Sequence, residues 1–190
     1  MPDDYNEHTR EGKKMSSENV MKLAALHRHW IVADAVRAVL QQKTATPMQE
    51  KLAIHKFGID HVAFGEHVSM LCRMQVWYSL LYVVVEGYRE LEQKFEPLEE
   101  VLANGDYVNL LRRYRNATFH YQSDALNDKL IDFLDEKDSE VWIKELNKQL
   151  EAFLMWALPI SEALADLEKN GLPEIPQGSK INTLFRQIKE

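Results

Sequence analysis

The sequence predicts an all-α protein that folds as an antiparallel bundle of four to five helices. Three observations support this fold class. Apolar residues recur at three- and four-residue steps over long segments. Glycine and proline are few, seven and six in 190 residues, whereas strand-rich proteins need many turns. Short connections join the long segments, which places neighbouring helices antiparallel.

The helices are predicted in chain order from apolar spacing and from end signals. After a polar segment at 1–16, which we expect to be disordered, seven helices are predicted at about 17–42, 48–57, 61–95, 97–104, 107–121, 123–134 and 139–169. The third is apolar on every side in its middle, which is typical of a buried helix. Pro159 is expected to kink the last of them.

One domain is expected over 17–170, because this length suits a single hydrophobic core. Residues 171–190 are predicted to form a linker that contains Pro and Gly, followed by a short amphipathic helix. We find no internal repeat and no low-complexity segment.

Charge, cysteine content and hydropathy limit the protein's environment. The formal net charge is −7, so contact with nucleic acid requires a local basic patch. Cys72, the single cysteine, excludes an intrachain disulfide and is expected to be a buried, inert thiol. The longest apolar run, Met74–Val85, has about 12 residues, whereas a membrane helix needs roughly 20. No secretion signal is present, and we expect a cytoplasmic protein.

The chemically distinctive segment is Arg-Asn-Ala-Thr-Phe-His at 115–120, near the end of the helix predicted over 107–121. On a wheel of about 100° per residue, two opposite sides appear. The side expected to face the core carries Tyr107, Leu111, Tyr114, Thr118 and Tyr121. The opposite side carries Asn109, Arg112, Arg113, Asn116 and His120. Arg115 lies about 140° from His120 on this wheel. Arg115 and His120 can contact one substrate only if the long side chain of Arg115, a distorted helix end or a second subunit brings them together.

These residue types suit the cleavage of RNA without a metal ion. In that reaction a 2′-hydroxyl attacks the adjacent phosphate. Imidazole moves protons near neutral pH. Guanidinium neutralises the charge that builds on the phosphoryl oxygens. An amide can hold the imidazole or a phosphate oxygen in place.

An arginine, a polar residue and, after three further residues, a histidine on a helix resemble the signature of the HEPN superfamily. Arg115, Asn116 and His120 match that signature, and the context at 86–88 (Glu-Gly-Tyr) and 110–114 (Leu-Leu-Arg-Arg-Tyr) is similar too. The resemblance implies a bundle of four to five helices and a homodimer whose two motifs form one composite cleft. It also implies a metal-independent RNA endonuclease, of the kind found in toxin–antitoxin, phage-defence or RNA-processing systems.

The resemblance assigns roles to the matching residues. His120 is expected to transfer protons, Arg115 to anchor the phosphate and Asn116 to orient, while Arg112 and Arg113 would contact RNA. One subgroup of the superfamily pairs with a nucleotidyltransferase antitoxin and has a tyrosine two residues after the histidine. That position is Gln122 here, a departure from the subgroup's pattern.

Alternatives remain open at this stage. The basic side of the helix could be an ordinary solvated face. The chain could be an inactive HEPN-like module that binds a protein partner or an antitoxin, or a helical nucleotide-binding sensor domain. Glu86 is expected to pair with Arg115 or Arg113 and orient it, or else to face solvent. No metal site is predicted, because the spacing of five histidines does not suit metal binding: His27, His29, His55, His61 and His67. No cofactor is predicted either, and the sequence has no Gly-rich phosphate loop.

Overall fold

The computed structural model describes residues 17–43, 47–57, 59–124 and 127–158, together with the single positions 165, 168 and 169. Within these ranges it confirms the all-α fold class, because helices are present and strands are not. The helices are α1 (Ser17–Ala38), α2 (Pro47–Phe57), α3 (Ile59–Arg89), α4 (Glu96–Leu102), α5 (Gly105–Phe119), α6 (Asp128–Asp135) and α7 (Ser139–Ala157).

Several helix ends differ from their predicted positions, and at the starts of α5 and α6 a capping side chain explains the difference. α5 begins earlier than predicted, since the side chain of Asn104 accepts the hydrogen bond from the Tyr107 N–H. α6 begins later, since Asn127 accepts from the Lys129 N–H. α1, α3 and α5 each end two to six residues before the predicted position, at 38, 89 and 119.

Some predicted segments lie outside the described residues. These are the N-terminal segment 1–16, the kink at Pro159 and the C-terminal segment 171–190. The chain divides into two compact units after Phe153, within the range 17–170 for which the sequence predicts one domain. Of the second unit the structure describes 154–158 and the three single positions.

The first and third helices run antiparallel. Near the start of α1, the side-chain amide of Asn19 donates to Gln93 Oε1 at 2.8 Å, just beyond the end of α3. Beyond the other end of α1, Nη1 of Arg73 donates to the carbonyl oxygens of Val39 and Gln42, both at 2.7 Å. A cation bound to the free carbonyls at a helix C-terminus stabilises that end.

Aromatic side chains form the part of the core that fixes α5 against its neighbours. The Tyr78 ring of α3 lies 6.0 Å from that of Tyr114 and 5.7 Å from that of Phe133, measured between centroids. Tyr88 meets Phe153 of α7 edge to face at 4.9 Å. Each such buried side chain stabilises the fold by roughly 1.5–3 kcal/mol. This packing holds the helix that carries the 115–120 segment.

The first half of α3 is more exposed than the sequence predicts. Val68, Leu71 and Cys72 are exposed, and continuous burial begins only at Trp77. The prediction of a buried Cys72 is therefore wrong. An apolar composition does not bury a helix face where no neighbouring element covers it.

One helix in the described part of the chain, over Gly65–Arg89, is long and apolar enough to cross a membrane by length and composition, with a mean hydropathy of 1.4. The run of 12 apolar residues considered above covers only half of it. Its second half supplies much of the bundle core, including Leu81, Val84 and Tyr88. The core helices of soluble proteins can have the same composition.

Candidate active site

Arg115 is held between α5 and α3 by contacts on three sides. Its Nη2 forms an ion pair with Glu86 Oε1, and its Nη1 donates to Asn116 Oδ1 at 2.9 Å. The guanidinium carbon lies 5.2 Å from the centroid of the Tyr82 ring, within range of a cation–π interaction. The side chain is 21% exposed. The guanidinium thus has a defined place at the surface rather than a solvated, mobile one.

The sequence of α3 explains why a carboxylate and an aromatic ring meet this arginine. Tyr82 and Glu86 are four residues apart and therefore lie one above the other on the same face of the helix. Tyr82 is buried, and that burial, reinforced by the negative charge of Glu86, raises the pKa of its hydroxyl. The ring therefore stays neutral beneath the guanidinium. Glu86 pairs with Arg115, one of the two partners that the sequence analysis considers for it.

Hydrogen bonds of Gln75 and Ser79 to Thr118 join α3 to α5 near Arg115. The hydroxyl oxygens of Ser79 and Thr118 lie 2.7 Å apart, and Gln75 Nε2 donates to the Thr118 hydroxyl at 3.3 Å. Thr118 also donates to the carbonyl oxygen of Tyr114 at 3.0 Å. Ser79 is fully buried, and sequence reasoning did not single it out. The available signal was a serine within an apolar helix opposite a threonine on the predicted core side of α5.

The two flanking arginines lie apart from this cluster and have partners of their own. Nη2 of Arg113 pairs with Asp132 Oδ2 of α6 at 2.7 Å. Nη2 of Arg112 donates to Asn109 Oδ1 at 2.8 Å on the exposed side of α5. Both side chains reach solvent, so each is accessible to a phosphate that displaces its partner.

His120 is not part of the helix, contrary to the regular wheel. α5 ends at Phe119, and His120 is its C-cap with an extended backbone (φ −114°, ψ 138°). Its N–H donates to the carbonyl oxygen of Asn116, and its own carbonyl accepts from Gln122 Nε2 at 3.0 Å. The residue is exposed, and in the described part of the chain its imidazole forms no hydrogen bond or ion pair. The helical repeat therefore stops before the histidine.

Two wheel predictions have different outcomes. Leu111 and Tyr114 are buried as predicted, whereas the prediction that Tyr121 faces the core is wrong, because 94% of its surface is exposed. The helical wheel does not predict which side chains are buried beyond the end of the helix. The structure thus brings Arg115, Asn116 and Glu86 into contact and leaves His120 exposed beyond them.

Among the residues that the structure describes, no group of three or more histidine, cysteine, aspartate or glutamate side chains is placed to hold a metal ion. The cluster offers an anchored guanidinium, an amide and an exposed imidazole at one helix end. No known protein family, no curated protein and no solved structure matches this chain significantly.

Proposed function

We propose that this protein is a metal-independent RNA endonuclease of the HEPN type. The observation that carries the proposal is the anchored guanidinium of Arg115, held by Glu86 and Asn116, with the exposed imidazole of His120 at the end of the same helix. Fixed cations near developing negative charge lower an activation barrier more than mobile ones do, because they need no reorganisation during the reaction.

The proposed reaction is transesterification within the RNA chain. The 2′-oxygen attacks the adjacent phosphorus, the bond from phosphorus to the 5′-oxygen breaks, and a 2′,3′-cyclic phosphate and a 5′-hydroxyl result. A base removes the proton of the 2′-hydroxyl, and an acid gives a proton to the leaving 5′-oxygen. His120 performs one of these transfers, and Arg115 neutralises the phosphoryl oxygens.

A homodimer supplies the groups that one chain lacks. One copy of His120 serves as base and the other as acid when two motifs share one cleft, and a two-fold axis brings identical surfaces together in that way. Arg112 and Arg113 then contact phosphates along the RNA. Arg113 has to exchange Asp132 for a phosphate, which costs little because exposed ion pairs contribute only about 0–1 kcal/mol.

The decisive test compares His120→Ala with His55→Ala. His55 is an exposed histidine on α2, so its loss controls for the removal of an imidazole from the surface. We expect His120→Ala to lower RNA cleavage by about 10² or more, with no effect of His55→Ala. Cleavage should persist in EDTA, leave a cyclic phosphate and spare DNA. Equal activity of the two variants would remove His120 from the mechanism, and activity lost on chelation would remove the mechanism itself.

The flanking arginines are tested by the salt dependence of RNA binding. Arg112→Ala should weaken binding to all RNA sequences alike and reduce the slope of log affinity against log salt by about one contact. Arg28→Ala, which removes an exposed arginine from α1, is the matched control and should leave the slope unchanged. Equal slopes for the two variants would mean that Arg112 does not contact RNA and belongs to an ordinary solvated helix face.

A second candidate function is that of a helical module that binds a protein partner, for instance an antitoxin in a defence system. It is favoured by large apolar side chains that are exposed on the first two helices, namely Met21, Ile31, Val32, Met48 and Leu52. A purified chain that cleaves no RNA at any salt concentration, yet loses a partner on Leu52→Asp, would favour this function. Light scattering of the wild type adds a second criterion, since a monomer at micromolar concentration contradicts the composite nuclease site.

A further inference from the structure

Two exposed aromatic side chains flank the histidine at the end of α5. Phe119 is 48% exposed and Tyr121 is 94% exposed, and His120 stands between them in the chain. Among the aromatic side chains that the structure describes up to Phe153, these two are the exposed ones. Aromatic rings stabilise a fold chiefly by being buried, so the bundle core does not account for this pair.

The Tyr121 ring is open to a flat ligand on both faces. In the described part of the chain, neither Tyr121 nor Phe119 packs against another aromatic ring, and the Tyr121 hydroxyl forms no hydrogen bond. By contrast, the core rings of Tyr78, Tyr114 and Phe133 lie 5.5–6.0 Å from one another, measured between centroids. The two exposed rings therefore keep their stacking surfaces available.

Phe119 lies on the same face of α5 as the anchored arginine. Phe119 and Arg115 are four residues apart, which places their Cβ atoms about 5–6 Å from each other. The guanidinium of Arg115 is fixed by Glu86 and is the phosphate anchor of the proposed function. A nucleotide whose phosphate binds Arg115 therefore brings its base to the end of α5, where Phe119 and Tyr121 lie.

The residues around this pair favour RNA bases over a second copy of the chain. The neighbours on either side are uncharged and small or polar, namely Ala117, Thr118, Gln122 and Ser123. Two aromatic rings bury about 300–500 Å², whereas a stable protein interface buries about 800 Å² on each partner. A base needs only the flat face of one ring, and every base has such a face to offer in return.

We propose that Phe119 and Tyr121 are base-stacking residues, which hold the bases on either side of the RNA bond to be cleaved. This inference rests on the proposed nuclease site and gives it a substrate preference. His120, which stands between the two rings in the chain, is thereby brought to the ribose and phosphate that the stacked bases flank. Bases in a duplex are already stacked on their neighbours, so the pair selects RNA that is unpaired at this position.

The test measures the binding of RNA that cannot be cleaved. A short single strand of 2′-O-methyl RNA, which lacks the nucleophilic hydroxyl, is titrated with the full chain and followed by fluorescence anisotropy. We expect Tyr121→Ala to weaken binding about fivefold or more, the effect of losing one base–aromatic stack. Tyr121→Phe keeps the ring and should bind as the wild type does. Val141→Ala, which removes a 67% exposed apolar side chain from α7, is the matched control and should have no effect.

Two further measurements distinguish stacking from other causes of weaker binding. An abasic strand of the same length keeps the sugar–phosphate chain, and the wild type and Tyr121→Ala should bind it equally. The slope of log affinity against log salt should be the same in both proteins, because the substitution removes no charge. Phe119→Leu, which keeps an apolar side chain at the helix end, should lose affinity for the base-containing strand alone.

Several results would overturn the proposal. One is equal affinity of the wild type and Tyr121→Ala for the base-containing strand, and another is a wild type that binds neither strand. A third is an equal loss of affinity for both strands together with dissociation of a dimer in light scattering, which would mean that Tyr121 packs against a second copy. A wild type that binds as expected but cleaves no natural RNA supports base stacking and contradicts the nuclease, so the two failures are distinguishable.

Discussion

The ion pair between Arg115 and Glu86 is expected to stabilise the fold as well as position the guanidinium. The perturbation is a double-mutant cycle of Arg115→Met, Glu86→Gln and the double variant. Methionine keeps most of the buried alkyl part of the arginine, and glutamine keeps the shape of the glutamate. The cycle therefore isolates the interaction between the two charged ends.

The magnitude follows from the exposure of the two side chains. Arg115 is 21% exposed and Glu86 43%, so the pair lies between the surface and the interior. Exposed pairs contribute about 0.2–1 kcal/mol, whereas loss of one partner of a fully buried pair costs about 3–5 kcal/mol. We therefore expect a coupling energy of about 1 kcal/mol. Arg115→Met alone should cost about 1–2 kcal/mol, because the cation–π contact with Tyr82 is lost too.

The assay is urea unfolding followed by far-ultraviolet circular dichroism, at low and high salt. The control cycle uses Lys22 and Glu18, an exposed pair on α1 with 42% and 79% exposure, for which we expect a smaller coupling. High salt should reduce the control coupling more than that of Arg115 and Glu86. A coupling equal to that of the control would contradict this expectation, since Arg115 would then be solvated like an ordinary surface arginine.

Three further outcomes are expected elsewhere in the bundle. Burial raises the pKa of Tyr88 to about 12, whereas the unfolded chain loses this proton near pH 10. The stability contributed by the neutral hydroxyl is therefore complete below about pH 10 and is lost as the pH rises to about 12. Urea unfolding midpoints measured across this pH range should fall less in Tyr88→Phe than in the wild type. Gly87→Val should cost about 1–3 kcal/mol by calorimetry, because a Cβ there would lie 2.9 Å from Leu26 Cδ1. Gly65→Ala, with open space at its Cβ, should instead stabilise by about 0.5–1 kcal/mol.

Apolar spacing was enough to predict the fold class and the buried side of α5. Leu111 and Tyr114 are buried as predicted, because their positions depend only on the helical repeat, which holds in the interior of any helix. The failures fall at helix ends and at uncovered faces. Tyr121 follows the C-cap, where the repeat no longer applies, and Cys72 lies on an exposed part of the α3 surface.

The site was predictable in its residue types but not in its contacts. The sequence left Glu86 with two possible arginine partners and a solvated alternative, because the choice depends on how far α3 and α5 slide along each other. That register is set by tertiary contacts such as the one between Ser79 and Thr118, which join residues 39 positions apart in the chain. No periodicity within either helix encodes it.

The extended backbone at His120 has a consequence for how the motif tolerates changes in length. An extra residue inserted within α5 would turn every later side chain by about 100° and carry Arg115 away from Glu86. The same residue inserted after Phe119 would leave the helix untouched and move the imidazole along an extended strand of chain by about 3.3 Å. The position of Arg115 therefore depends on how α5 packs in the bundle, whereas the position of His120 depends only on the extended chain after Phe119. An inserted residue should therefore be accepted after Phe119 and rejected within α5 before Arg115.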